Sequence, residues 1–134
     1  MSLITAECKG VPLLYEMARQ ENASNYIVAR KAEKVYMTDV ITARVDSITT
    51  AAEQTLYLGG EDAALLRGKR ILIVDDVVST GESLAALEQL VALAGGKIVG
   101  KMCVLAEGDA IGREDLTYLQ KLPLFHSDGT VMEA

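Results

Sequence analysis

The sequence predicts an α/β fold, an open and mainly parallel sheet flanked by helices, and three observations carry that prediction. Ile71-Leu72-Ile73-Val74 is a short β-propensive apolar run without alternation, the pattern of a strand buried on both faces. An amphipathic helix follows it, with Leu84, Leu87, Leu90 and Val91 on one face. A second helix, opening at Pro12 and carrying Leu13, Leu14, Met17 and Ala18 at core spacing, lies between two further strand segments, 3–6 and 25–29.

At 134 residues the chain is expected to form one domain, 1–134, with a single core. Half the residues are apolar and 24% are charged, as in a globular α/β protein. A net charge of −6 and an isoelectric point near 4.8 argue against a nucleic-acid surface, which would present a basic face. No apolar run approaches the roughly 20 residues that span a bilayer. The first residues lack the basic flank and apolar core of a signal peptide, so a cytoplasmic location is the expectation. Cys8 and Cys103 have no metal-ligand spacing and are read as free thiols, and a single histidine, His126, leaves little scope for histidine catalysis.

Taken in order, residues 3–6 read as the tail of a strand, followed at once by Glu7-Cys8-Lys9-Gly10 and the Pro12 helix. Asn25 to Ala29 is the second core strand and delivers Arg30 and Lys31 to its carboxyl end, the edge at which open parallel sheets bind ligands. Residues 32–54 have no clear period, although Val40-Ile41-Thr42 and Val45 hint at a β ribbon; so long a connection is either disordered or a lid. Gln54 to Leu58 reads as a strand ended by Gly59-Gly60, and Glu61 to Leu66 as a helical turn. Gly95-Gly96 closes the central helix, and Lys97 to Leu105 follows as a strand offering Val99, Met102, Val104 and Leu105 to the core. Glu107 at its end is read as a solvated loop acid, with contact to a base or a metal as the alternative. Leu122-Pro123-Leu124-Phe125 is expected to be the last strand, with Phe125 in the core.

The chemistry concentrates after the central strand. Asp75 and Asp76 stand at its carboxyl end, where they can accept hydrogen bonds from sugar hydroxyls or help to hold a hydrated Mg²⁺. Ser79-Thr80-Gly81-Glu82-Ser83 then supplies hydroxyls and a glycine at a helix start, where unpaired N–H groups and partial positive charge favour a phosphate. A ribose 5-phosphate satisfies both halves. The bland alternative is an acidic pocket of another doubly wound fold beside an ordinary helix cap.

Residues 74–83, Val-Asp-Asp-Val-Val-Ser-Thr-Gly-Glu-Ser, resemble the phosphoribosyl pyrophosphate (PRPP) loop of the type I phosphoribosyltransferases, whose sheet is Rossmann-like. Glu7-Cys8-Lys9-Gly10 is similar to the family's pyrophosphate loop, with Lys9 as the charge partner, and Arg30-Lys31 to the basic pair of its purine-type members. The resemblance implies transfer of ribose 5-phosphate from Mg²⁺-bound PRPP to a purine base, with release of pyrophosphate. It gives Asp75 and Asp76 to the ribose hydroxyls, and with less weight to the metal. It sets Val78, Ser79, Thr80, Gly81, Glu82 and Ser83 around the 5-phosphate, and Lys9 with Arg30 at the diphosphate. Residues 32–54 correspond to the flexible loop that closes over the substrates, and a homodimer is expected.

The run from Leu56 to Asp62 before Gly68-Lys69-Arg70, and the Arg113 segment, look closest to adenine phosphoribosyltransferases. Two features depart from them. The chain starts almost at the pyrophosphate loop, so the N-terminal hood that reads the base is expected to be missing, and the loop glutamate of adenine enzymes has only Glu53 as its counterpart. The competing class is a PRPP-binding regulatory protein without catalysis.

Overall fold

The computed structural model describes residues 1–45 and 54–132. Among the described residues, strands and helices run in the order β1 (Ser2–Ala6), α1 (Val11–Gln20), β2 (Asn25–Ala29), β3 (Ile41–Val45), β4 (Gln54–Leu58), α2 (Gly60–Leu66), β5 (Arg70–Val78), α3 (Glu82–Ala94), β6 (Lys97–Glu107) and β7 (Thr117–Leu122). A 3-10 turn, Gly108–Gly112, joins the last two strands. Five strands form one parallel sheet in the order β2-β1-β5-β6-β7, and β3 and β4 form a separate antiparallel ribbon. Among the described residues no helix is long and apolar enough to cross a membrane.

The unalternating apolar run of β5 is explained by its two covered faces. Ile71 and Ile73 point into the larger core with Ile4, Leu84, Leu87, Leu90 and Val91, while Leu72 and Val74 join Leu3 and Leu14 under α1. Each helix therefore seals one face of the same strand, and burial of several fully covered Leu and Ile side chains, about 1.5–3 kcal/mol each, holds the sandwich together. The ribbon adds Ala43, Val45, Leu56 and Leu58 to the α3 side. Paired backbone bonds between Arg30 and Tyr57, 2.9 and 2.7 Å, hook it to the end of β2. Ile41, Thr42 and Val45 thus belong to a ribbon, as their pattern suggests, whereas Val40 lies just before it.

Other expectations need correction. Residues 3–6 belong to the five-residue strand Ser2–Ala6, each residue of which faces a partner on β2. The last strand is Thr117–Leu122, not 122–125: Pro123 has no N–H to donate, and pairing with β6 stops at Leu122. Phe125 lies beyond it in an isolated bridge to Val131 and is 53% exposed, so it is not a core residue. Val99 is likewise exposed because the β5–β6 register steps from Ile98 to Gly100, leaving Val99 as the extra residue of a bulge. Cys103 and Ala106 are the β6 residues buried instead.

Candidate functional site

In the five-stranded sheet β1 and β5 lie side by side, yet the chain leaves β1 towards β2 on one side and β5 towards β6 on the other. Loops that diverge in this way leave a crevice outside the carboxyl ends of the two strands. The Glu7–Gly10 loop follows β1 and the acidic pair closes β5, so the topology brings together segments some 65 residues apart in sequence, by subtraction of their numbers. A cavity of about 340 Å³ opens there, walled by Glu7, Cys8 and Lys9, by Lys31, by Gln54 and Leu56 of the ribbon, and by Asp75, Asp76 and Ser83.

The first loop is held tightly against the acids. Glu7 N–H donates to the Ala29 carbonyl at 2.9 Å, and the Glu7 carboxylate accepts from the Lys31 backbone N–H at 3.1 Å. The Glu7–Cys8 peptide is cis. At Gly10 a Cβ would overlap the Thr5 hydroxyl and stand 3.5 Å from Asp75 Oδ1, so only glycine lets the loop close over the strand. Arg30 does not wall the cavity; its guanidinium lies 4.0 Å from the Glu7 carboxylate, and Lys31 is the cation that does.

The two carboxylates differ in environment. Burial, and next the hydrogen bond to Asp76, push Asp75 up to about 7. Burial acts the same way on Asp76, but hydrogen bonds from the Asp75 carboxyl and from backbone N–H groups, with Lys9 nearby, hold it below the usual carboxylate value. The Asp76 N–H also donates to Asp75 Oδ1 at 2.8 Å. Burial and the neighbouring carboxylate thus favour the protonated form on Asp75, and the hydrogen bonds favour the ionised form on Asp76. Among the described residues no group of three or more His, Cys, Asp or Glu is placed to hold a metal ion. Two adjacent acids suit a cation such as Mg²⁺ that keeps its waters and is shared with substrate phosphates, rather than a closed protein cage.

A second cavity, of about 160 Å³, adjoins the first and shares Asp75, Val77 and Ser83 with it. Val78, Ser79, Thr80, Gly81 and Glu82 complete its wall. Gly81 sits at φ +83°, a left-handed conformation costly for other residues, and turns the chain into the 13-residue α3. Gly81 at the N-cap has no side chain to cap that helix, and its first turn adjoins the cavity. One cavity is thus lined by charge and the other by hydroxyls and backbone donors, the chemistry of a ligand with a sugar between two phosphate groups.

Every predicted site residue except Arg30 and Gly10 walls one of the two cavities; Gly10 underlies Asp75, and Glu107 ends β6 opposite Leu122, away from both. Glu53 and the segment 46–53 of the expected lid lie outside the described residues. Gln54 was not singled out by sequence, because nothing local marks it as reaching β1 and β5.

A family model described as the phosphoribosyl transferase domain matches residues 2–126. A hypoxanthine/guanine phosphoribosyltransferase of Methanococcus voltae is 34% identical over 107 residues, 80% of this chain and 53% of that protein. An adenine phosphoribosyltransferase of a Cyanothece species is 33% identical over 108 residues, 80% of this chain and 57% of that protein. The chain spans about half the length of the curated relatives it matches. In fold it superposes on an adenine phosphoribosyltransferase from Thermoanaerobacter pseudethanolicus with a TM-score of 0.77 at 21% identity, over 90% of this chain and 70% of that one.

Proposed function

The chain belongs to the phosphoribosyl transferase domain family, and from that premise we propose that it binds PRPP with Mg²⁺ and transfers ribose 5-phosphate to a purine base, releasing pyrophosphate. The observation that carries the reading is the pair of adjoining cavities that share Asp75, Val77 and Ser83, one lined by Lys9, Lys31 and the acids, the other by the Ser79–Ser83 turn. Their combined chemistry fits a diphosphate at one end, a ribose over the acids and a monophosphate at the other end.

The donor loses its diphosphate as positive charge grows on the ribose, so catalysis here is positioning and electrostatics. Asp75 and Asp76 accept the ribose hydroxyl hydrogen bonds and oppose the cationic ring. Lys9 and Lys31 stabilise the leaving diphosphate from the loops after β1 and β2. The hydroxyls and first-turn N–H groups at Ser79–Ser83 grip the 5-phosphate, with Glu82 contributing its backbone N–H. Asp75 and Asp76 would hold a bound Mg²⁺ together with the substrate, and that ion would supply charge neutralisation for the departing diphosphate.

The relatives named for hypoxanthine/guanine and for adenine differ in the base they take. On the resemblance of the Arg113 segment we favour adenine as the acceptor. The test is pyrophosphate release from PRPP and Mg²⁺ with adenine, hypoxanthine and guanine in parallel. Release with adenine above the other two supports the reading; release with hypoxanthine or guanine reassigns the base; PRPP binding without release from any of them removes the transferase activity.

A further inference from the structure

We infer that Arg113 is a positioning residue for the phosphate turn, clamping Gly81 from the flank of α3. This rests on the reading that Ser79–Ser83 holds the phosphate end of the donor. Arg113 follows the 3-10 turn, and its backbone N–H donates to the Ala110 carbonyl at 3.2 Å, which roots it on a buried residue. Its Nε and Nη2 donate to the two Asp115 carboxylate oxygens at 2.9 and 2.7 Å, a side-on fork that fixes the guanidinium plane. The remaining nitrogen, Nη1, is turned to Gly81: a Cβ built there would stand 2.7 Å from it.

The fork is itself anchored. Lys101 of β6 donates to Asp115 at 2.9 Å and pairs with Glu88 on α3, so a chain of alternating charges runs from the helix flank to the turn. The four charges cancel, and the guanidinium is already matched by Asp115. It therefore acts less as a bare cation for the ligand than as a fixed strut whose Nη1 end abuts Gly81. The turn has need of one. Gly81 is left-handed and the most permissive residue type, and no side chain caps α3. A turn whose N–H groups must converge on one phosphate loses affinity when it samples other shapes, because ordering it is charged to binding. Arg113 restricts those shapes without itself walling the cavity.

Lysine cannot replace this geometry, since a single ammonium cannot both grip Asp115 side-on and hold a second nitrogen against Gly81. The test compares Arg113→Gln and Arg113→Lys with the unsubstituted chain, measuring the dissociation constants of ribose 5-phosphate and of Mg²⁺-pyrophosphate separately. Both variants are expected to bind ribose 5-phosphate about tenfold more weakly while binding pyrophosphate as before, and to raise KM for PRPP rather than lower kcat. Unchanged ribose 5-phosphate affinity, equal loss of both ligands, or full restoration by lysine each overturns the inference. An unsubstituted chain that binds no ribose 5-phosphate overturns the reading of the turn beneath it.

Discussion

The two adjoining cavities offer a ligand opposite kinds of contact. The larger is built at the ends of β1 and β5 from side-chain charge: Lys9, Lys31, and an acid pair of which the more buried member is pushed up to about 7. The smaller is built where β5 passes into α3 from backbone donors and hydroxyls, with a left-handed glycine at its hinge. The first pays in folding free energy for its carboxylates, because burying them disfavours their ionised form. The second adds little such strain, since the helix N-terminus must leave its N–H groups open in any case. Loss of function should therefore be abrupt in the charged cavity and graded in the backbone one.

The largest effect is expected from replacing both acids. Asp75→Asn with Asp76→Asn should lower kcat/KM for PRPP by at least about 100-fold with the circular dichroism of the fold unchanged; activity within a few-fold of the parent would remove the acids from the mechanism. Next comes Gly81→Ala, which forces a side chain into φ +83° and against Arg113. It should weaken PRPP binding about tenfold and lower stability by about 1–3 kcal/mol, and a neutral result in both would show that the turn adapts freely.

The acid pair also predicts a contrast in stability. Asp75 has a folded pKa above its ordinary 3.8, so the folded form keeps a proton that the unfolded chain releases. Its stabilising share is fully present below about pH 4 and is lost as pH rises through about 7. In metal-free buffer Asp75→Asn should therefore melt a few degrees above the parent at pH 8, and the difference should vanish near pH 4. Thermal scans at the two pH values check it, and a variant melting below the parent at pH 8 contradicts the burial argument. The smallest effect is expected from Ser79→Ala or Thr80→Ala: about threefold in PRPP affinity for each lost neutral hydrogen bond, read by calorimetric titration.

What the sequence disclosed follows from how locally each feature is encoded. β5 and α3 were legible because strand, acids, hydroxyls, glycine and helix are contiguous, and their periods change within a dozen residues. The closeness of Lys9 to Asp75 came from resemblance, since nothing local states that β1 and β5 are neighbours. Arg30 and Lys31 were indistinguishable by composition; just past the end of β2 the first lies towards Glu7 and the second walls the cavity. Val99 and Phe125 misled because a short apolar run looks the same whether or not a bulge or a proline interrupts the ladder. The Arg113 contact with Gly81 spans 32 residues, by subtraction, and depends on packing alone.

The central claim is that the two cavities hold two ends of one donor, and competition calorimetry in Mg²⁺ buffer tests it most directly. The chain should bind one equivalent of PRPP, more tightly than ribose 5-phosphate or pyrophosphate alone, and saturating PRPP should abolish the heat of both. Undiminished binding of either fragment in the presence of PRPP would contradict it.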